Sequence, residues 1–200
     1  MEQQIAYTID DRLYLSITDR CTLECAFCPK QDDDYRLHEY DLRMQFRPST
    51  ADIIAAIGEH PENYAQIVFC GYGEPTLRLN VLLQVAEYIK GRGGVVRINT
   101  DGLANKFHKR NVLPEMKGLV DSLSISLNAQ NETVYNQHCQ PQLAGSWEAL
   151  LEFIKQAPTY IPDVQVSAID GLEGVDISAC QSLVESLGAK FKYRELDKLG

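Results

Sequence analysis

Short apolar runs alternate with stretches of helical periodicity along the 200-residue chain, and this order restricts the possible folds more than any other feature. It is typical of repeated βα units, in which parallel strands lie beneath crossover helices. The predicted strands are residues 13–18, 66–71, 95–100, 122–128, 163–169 and 190–195. The predicted helices, the first capped by Ser49 or Thr50 and the last ended by Gly188, lie near residues 49–59, 78–91, 103–117, 145–157 and 175–187. The sequence therefore predicts an α/β fold whose six-stranded parallel sheet forms an incomplete barrel, because a closed barrel of this type has eight strands.

Every second residue is polar along five of the six predicted strands, and the residues between them are apolar. The polar positions are Ser16 and Thr18; Arg97 and Asn99; Ser122, Ser124, Ser126 and Asn128; Gln165 and Ser167; Lys192 and Arg194. Because crossover helices bury the apolar side of a parallel sheet, we expect the polar side chains to line the lumen of the barrel and form a binding cavity. The alternative is an α+β sheet whose polar side faces water.

Ligands of parallel α/β sheets bind at the carboxyl ends of the strands, so the last polar residue of each strand is the best candidate for ligand contact. Asn99 and Ser126 are accordingly predicted to face the ligand, with Asn128 at the rim of the site.

Three basic residues would make this lumen positive although the whole chain carries a net charge of -9. These lumen cations are Arg97, Lys192 and Arg194. A cation that is removed from water needs an anion nearby. That anion is either part of a bound ligand or a carboxylate of the chain itself, for which the candidates are Glu74, Asp101 and Glu195.

Cys21, Cys25 and Cys28 follow the first predicted strand, and their spacing supplies three thiolates and no fourth. A metal centre held by these residues keeps one coordination position open. A structural zinc site is the alternative, but such a site is closed by four ligands, usually as two separated pairs. Disulfides are disfavoured because no signal peptide is visible at Met1 and a chain of this length does not need such cross-links.

The remaining cysteines stand apart from one another in the sequence. Cys70 ends an apolar run and Cys180 lies on the apolar side of a helical pattern, so both are predicted to be buried small hydrophobes. Cys139 follows His138 in a polar stretch, which predicts a surface position, with a reactive thiol as the alternative.

Residues 71–75, Gly-Tyr-Gly-Glu-Pro, connect the second predicted strand to the helix that follows it. Glycines at such a turn let the backbone approach a ligand closely, and Glu74 can accept a hydrogen bond from an ammonium group. Taken alone, this stretch is equally compatible with an ordinary strand-to-helix turn that carries a solvated glutamate.

The cysteine triplet and the turn at residues 71–75 together resemble the radical S-adenosylmethionine (SAM) enzymes. Phe27 occupies the aromatic position beside the last cysteine of that family's motif. Gly71, Tyr72, Gly73 and Glu74 look like its Gly-Gly-Glu element, with Tyr72 at the variable middle position. The small TatD-associated radical SAM proteins are the group that the chain resembles most.

Two further segments are similar to SAM-contacting regions of that family. Residues 99–102, Asn-Thr-Asp-Gly, resemble the Thr-Asn-Gly turn after the third strand, and residues 126–128, Ser-Leu-Asn, resemble a Ser-Leu-Asp segment after the fourth. Asp101 and Asn128 stand where those relatives often have Asn and Asp.

The resemblance implies an open three-quarter TIM barrel, (β/α)6, formed by a single radical SAM domain over residues 1–200. It implies a [4Fe-4S] cluster on Cys21, Cys25 and Cys28 and a SAM molecule bound at Phe27, Gly71, Tyr72, Gly73, Glu74, Asn99, Ser126 and Asn128. In such enzymes the reduced cluster cleaves SAM to a 5′-deoxyadenosyl radical, which abstracts hydrogen from a small-molecule or protein substrate. An electron donor such as flavodoxin or ferredoxin reduces the cluster.

Two alternatives to this function stay open at the level of sequence. The first is a non-catalytic iron-sulfur or zinc protein with cysteine ligands, which would not cleave SAM. The second lies within the enzyme class, where a glycyl-radical activase and a 7-carboxy-7-deazaguanine synthase-like enzyme are both similar in size to this chain.

Composition agrees with an enzyme that works in the cytoplasm. The net charge of -9 makes nucleic acid an unlikely partner, because phosphate contacts need a basic surface. No stretch approaches the roughly 20 continuous apolar residues of a membrane span, so no membrane association is predicted.

Overall fold

Seven strands form one sheet in the computed structural model, which describes residues 3–196. The strands in chain order are β1 (Ala6–Ile9), β2 (Arg12–Leu15), β3 (Arg36–Leu37), β4 (Tyr40–Asp41), β5 (Gln66–Phe69), β6 (Val96–Thr100), β7 (Ser122–Ser126), β8 (Asp163–Asp170) and β9 (Lys190–Glu195). The α-helices are α1 (Thr50–Ile57), α2 (Leu79–Lys90), α3 (Ala104–His108), α4 (Leu113–Met116), α5 (Glu132–Cys139), α6 (Ser146–Gln156) and α7 (Ile177–Ser186). Short 3-10 helices span Pro29–Asp32, Pro61–Asn63, Pro75–Arg78 and Ala157–Thr159.

The sheet order is β1-β2-β5-β6-β7-β8-β9, and β3 pairs with β4 in a separate hairpin. The strands from β2 to β9 in this order are parallel, and β1 joins the sheet antiparallel to β2. The sheet curves enough for the loop after β2 and the edge strand β9 to line one cavity. The predicted α/β fold with a parallel sheet of six βα-type strands is confirmed, and β1 is an addition to it.

Strand register places the polar residues of neighbouring strands side by side. Asn99 pairs with Ser124 and Ser124 with Gln165, while Ser126 pairs with Ser167. Because side chains alternate along a strand, these residues share one face of the sheet. The intervening residues are buried under the helices on the other face, including Ile98, Leu123, Ile125, Val164 and Val166.

Helices cover that apolar face through one buried stripe each. In α2 the buried residues are Leu79, Leu82, Val85, Ala86 and Ile89, the spacing of a single helical face. Ser49 is the N-cap of α1: its hydroxyl accepts from the Asp52 N–H at 3.2 Å, and the Asp52 carboxylate accepts from the Ser49 N–H at 2.8 Å. Gly188 follows α7 with φ of +82°, a conformation that glycine adopts without strain.

Local structure departs from the prediction in three places. The strand predicted at 13–18 ends at Leu15, because residues 16–18 lead into the cysteine loop. The helix predicted at 103–117 is divided into α3 and α4, since Lys109 ends α3 at φ of +54° and Pro114 begins a new helix. Helix α5 was not predicted; it begins at Asn131, whose side chain accepts from the Val134 N–H at 3.0 Å.

Across residues 3–196, none of the helices combines the length and apolar character required to cross a bilayer.

Candidate active site

A cavity of about 240 Å³ opens at the carboxyl ends of the parallel strands. All eleven residues that the sequence proposed as cofactor or metal contacts lie on its wall. They are Cys21, Cys25, Phe27, Cys28, Gly71, Tyr72, Gly73, Glu74, Asn99, Ser126 and Asn128. The structure therefore brings these residues together, while their roles as ligands stay predictions.

Nine of the twelve polar positions predicted to face the lumen also line this cavity. The exceptions are Ser16, Thr18 and Ser122, which are buried away from it. Ser16 lies beneath the turn at residues 71–75, where a Cβ on Gly71 would be 2.8 Å from the Ser16 hydroxyl oxygen. The Ser16 side chain thus supports the floor of the site.

The three motif cysteines lie in the loop after β2, and each is half-buried. The Cys28 N–H donates to the Cys25 carbonyl at 3.0 Å, which turns the loop so that both thiols line the cavity. The Ala26 N–H donates to the His138 carbonyl at 2.8 Å, which fastens the loop to the end of α5. Among the described residues, no three Cys, His, Asp or Glu side chains converge as they would around a single metal ion.

Cys139 is fully buried at the end of α5, so the predicted surface position is wrong. Its thiol lies beside that of Cys25, and its carbonyl accepts from the Glu24 N–H at 3.2 Å. Tyr135, one helical turn earlier, is buried on the same face. The polar neighbours that suggested a surface position lie mainly on the other face of α5.

The environment of the thiols disfavours free thiolates. Burial raises the pKa of Cys21, and the nearby carboxyl groups of Asp101 and Glu74 raise it further. A hydrogen bond with Cys139 and burial raise the pKa of Cys25, and burial raises the pKa of Cys28. Because thiolate is the ligand form, these side chains need a strongly positive centre to lose their protons. Three thiols without a fourth protein ligand fit the iron-sulfur cluster that the motif implies.

Glu74 is almost completely buried, and its side chain joins the turn at residues 71–75 to the end of β6. Its Oε1 accepts from the Thr76 N–H at 2.9 Å and from the Thr100 hydroxyl at 2.9 Å, and its Oε2 accepts from the Asp101 N–H at 2.7 Å. The solvated glutamate of an ordinary turn is therefore excluded. Oε2 accepts this one hydrogen bond and has capacity for another donor from the cavity.

Asp101 is a second buried carboxyl group beside the cysteine loop. It accepts from the Thr22 hydroxyl at 2.5 Å and from the Leu103 N–H at 2.9 Å. Burial raises the pKa of both Asp101 and Glu74, and the two carboxyls lie close enough to disfavour the second charge. Asp101 thus links the turn after β6 to the residue that follows Cys21.

The turn at residues 71–75 packs directly on the segment that leads to Cys21. The Glu74 N–H donates to the Arg20 carbonyl at 2.7 Å. A Cβ on Gly73 would lie 2.7 Å from the same oxygen and closer still to the Thr18 carbonyl. Glycine at position 73 is therefore required by its contact with the backbone of the segment that leads to the cysteine loop.

Asn128 has a strained backbone and an unpartnered side chain. Its φ is +57°, which is uncommon for a non-glycine residue, and its side chain is 2% exposed. The Oδ1 atom is buried without a hydrogen-bond partner among the described residues. Strain of this kind clusters at ligand sites, and an orphaned acceptor on a cavity wall fits a donor supplied by a bound molecule.

Within residues 3–196, neither Glu74 nor Asp101 forms an ion pair with any of the lumen cations. Arg97 Nε donates to Asn99 Oδ1 at 3.0 Å. Arg194 Nε is buried and has no partner in the described part of the chain, and burial lowers the pKa of this guanidinium. The cavity therefore presents positive charge to its contents.

The excursion between the cysteine loop and α1 packs against Tyr72, a residue of the cavity wall. The Tyr72 hydroxyl donates to the Arg36 carbonyl at 2.9 Å, and its ring packs edge-on against Tyr35 with centroids 5.8 Å apart. Phe27 is half-buried on the wall next to Cys28. These contacts hold the β3–β4 hairpin beside the predicted SAM site.

The position of Cys70 and the structural role of Thr100 differ from what the sequence predicts. Cys70 was predicted to be a buried hydrophobe; it is half-buried, lines the cavity and accepts from Asn99 Nδ2 at 3.3 Å. Its position directly after β5 is the signal that could have placed it there, because ligands bind at that end of a parallel strand. No local signal marks the Thr100 hydroxyl as a partner of Glu74, since they are 26 residues apart. Cys180 is fully buried in α7, as predicted.

The chain is an open parallel α/β barrel with three thiols on the wall of a polar cavity at its strand ends. This combination defines a class of proteins that bind a metal cluster and leave one coordination position of the cluster accessible. Comparison with known families gives the class a name. The Radical SAM superfamily matches residues 15–187, and the chain belongs to this superfamily of enzymes.

Curated relatives share about a quarter to a third of their matched residues with the chain. The tungsten-containing aldehyde ferredoxin oxidoreductase cofactor-modifying protein of Pyrococcus furiosus is 28% identical over 161 residues, which cover 78% of this chain and 43% of that protein. The GTP 3′,8-cyclase of Staphylococcus epidermidis is 29% identical over 164 residues, which cover 78% of this chain and 45% of that protein. The chain thus spans less than half the length of the curated relatives it matches.

Solved structures share the fold at low sequence identity. TYW1 with a lysine-pyruvate adduct bound has a TM-score of 0.68 at 12% identity, covering 94% of this chain and 66% of that one. Streptococcus suis SuiB bound to S-adenosylmethionine has a TM-score of 0.69 at 12% identity, covering 96% of this chain and 42% of that one. These likenesses bear on the fold alone.

Proposed function

We propose that this chain is a radical SAM enzyme whose [4Fe-4S] cluster is held by Cys21, Cys25 and Cys28. The observation that carries the proposal is that the three thiols and the turn at residues 71–75 line one polar cavity. When bound, the cluster supplies the electron for reductive cleavage of SAM to a 5′-deoxyadenosyl radical, which abstracts hydrogen from the substrate. Residues 1–200 would act as a single radical SAM domain.

The cavity residues would bind and orient SAM. The remaining acceptor capacity of Glu74 Oε2 and the orphaned Oδ1 of Asn128 suit ammonium or hydroxyl donors. Gly71 and Gly73 leave the backbone of the turn accessible on the cavity wall, while Asn99 and Ser126 would contact the nucleoside. Phe27 and Tyr72 add apolar surface that limits the access of water to the reacting atoms.

A non-catalytic iron-sulfur or zinc protein remains the alternative class. Such a protein needs no polar cavity beyond its ligands, whereas here the cavity extends from the cysteines to β9. Unpartnered polar atoms on that wall also favour a bound organic molecule over a purely structural metal. These observations support the enzyme.

Anaerobic reconstitution with iron and sulfide, followed by an assay for 5′-deoxyadenosine with SAM and dithionite, tests the proposal. We expect product from the wild-type chain and from Cys180→Ala, whose buried thiol lies away from the cavity. Cys25→Ala should yield neither the cluster nor the product. A fully loaded cluster that cleaves no SAM would favour the non-catalytic alternative.

Substrate, partners and subgroup are further parts of the proposal. We propose a small-molecule or protein substrate, an electron donor such as flavodoxin or ferredoxin, a cytoplasmic location, and kinship with the TatD-associated group. Both kinds of substrate have a precedent among the similar proteins: one relative is a GTP 3′,8-cyclase, and SuiB has been solved bound to a precursor peptide. A glycyl-radical activase and a 7-carboxy-7-deazaguanine synthase-like enzyme remain equally compatible with the site.

A further inference from the structure

The lumen cations form a group that SAM chemistry does not fully use. Arg97 projects from β6 and Lys192 and Arg194 from β9, and all three line the cavity. Cys70, which follows β5, lines the same cavity, so the curvature of the barrel brings side chains from β6 and from the edge strand β9 to one space. A carboxylate of SAM carries one negative charge, whereas three cations face the cavity.

Two like charges that share a half-buried cavity repel each other, and an anion bound between them offsets that repulsion. The acidic residues on the cavity wall are Glu74 and Asp101, and the chain's own hydroxyl and N–H donors engage both carboxyl groups. Among residues 3–196, Arg194 retains a buried Nε–H that has no acceptor. A buried donor without a partner is costly, so a bound oxyanion would stabilise this wall.

Neutral hydrogen-bond donors complete the surroundings of the cations. Gln165 and Ser167 line the cavity on β8, and Ser167 is the register partner of Lys192. Guanidinium groups bind phosphate through paired N–H donors, and hydroxyl and amide groups satisfy the remaining oxygens. The combined positive charge of the three cations exceeds the single negative charge of a carboxylate and is enough to neutralise a phosphate group, which carries up to about two.

We propose that Arg97, Lys192 and Arg194 form a subsite for a phosphate group of the substrate. The subsite rests on the proposed function, because it assigns a substrate class to the same cavity: a phosphorylated small molecule. The phosphate lies toward β9, which leaves the wall formed by the turn at residues 71–75 and the cysteine loop to SAM.

Isothermal titration of the reconstituted protein with inorganic pyrophosphate, at saturating SAM, constant ionic strength and without reductant, tests the subsite. We expect saturable binding with one site per chain, weakened about tenfold or more in Arg97→Gln and Arg194→Gln. Lys192 is exposed, so Lys192→Gln should preserve the fold and show a smaller loss of pyrophosphate affinity. Arg92→Gln makes the same charge change outside the cavity, where Arg92 lies over the Tyr88 ring, and should bind as the wild type does.

Three results would overturn the subsite. One is the absence of saturable binding to the wild type, and another is an equal loss in Arg92→Gln, which would indicate a long-range charge effect. The third is a loss of SAM affinity in Arg194→Gln with unchanged pyrophosphate binding, which would assign the cation to the SAM carboxylate. If reconstitution yields no cluster, the same titration on the cluster-free chain separates failure of the proposed function from failure of the subsite.

Discussion

Replacing Gly73 by Ala tests whether the turn at residues 71–75 and the cysteine loop act as one unit. The new methyl group would be 2.7 Å from the Arg20 carbonyl oxygen and closer to that of Thr18, and both atoms belong to the backbone. Because neither can move away as a flexible side chain could, the two loops must separate. Separation would also weaken the hydrogen bond from the Glu74 N–H to Arg20.

Overpacking of this kind costs up to about 3 kcal/mol. For a chain of this size that corresponds to a fall in melting temperature of roughly 6–12 °C. Thermal melting followed by circular dichroism measures the fall, and iron content and SAM affinity after reconstitution measure the displacement of the loops. Gly91→Ala is the matched control: with φ of -62° and no place on the cavity wall, it should change stability by no more than about 0.5 kcal/mol. If Gly73→Ala melts and binds SAM as the wild type does, the two loops are not coupled as described.

Three further predictions concern buried side chains. Glu74→Ala leaves the buried Asp101 N–H without its acceptor, so we expect urea unfolding to show a free energy of unfolding lower by about 1–3 kcal/mol. This variant should retain its iron but bind SAM more weakly. Unchanged SAM affinity would show that Glu74 does not contact SAM. Burial raises the pKa of Glu74 to about 8, above its value in the unfolded chain, so the cluster-free native chain binds more protons than the unfolded chain does. The free energy of unfolding should therefore fall as the pH rises from about 5 to 8. The same slope in Glu74→Gln would show that Glu74 is not the cause of this pH dependence. Replacing Cys21 or Cys28 by Ala should abolish the visible absorbance of the cluster. The control Cys180→Ala should keep that absorbance and lose some stability, because a buried thiol is removed from the core. A full iron load in the Cys21 or Cys28 variant would contradict the ligand assignment.

The fold was predictable because its signals are local. Alternation along five strands and helical periodicity between them depend on near neighbours in the sequence, and the register of β6, β7 and β8 preserves that alternation as a polar face. The antiparallel strand β1 is only four residues long and offers too short a pattern to recognise. The division of α3 from α4 depends on one residue, Lys109, in a left-handed conformation.

The site was predictable where motifs carry it and not where distant segments meet. Spacing identified the three cysteines and the turn that follows β5. The contact between Cys139 and Cys25 and the hydrogen bond from Thr100 to Glu74 arise only when separate βα units assemble. Cys70 shows the same limit, because an apolar run before it resembles the core although its thiol lies on the cavity wall.

The central claim is that Cys21, Cys25 and Cys28 leave one iron of a cluster free to bind SAM. Electron paramagnetic resonance of the reduced, reconstituted chain, recorded before and after SAM is added, addresses that iron itself. The account predicts a cluster signal whose g-values shift on addition of SAM. A fully loaded cluster with an identical spectrum in both samples, or a reconstituted site that holds zinc with four ligands, would contradict it.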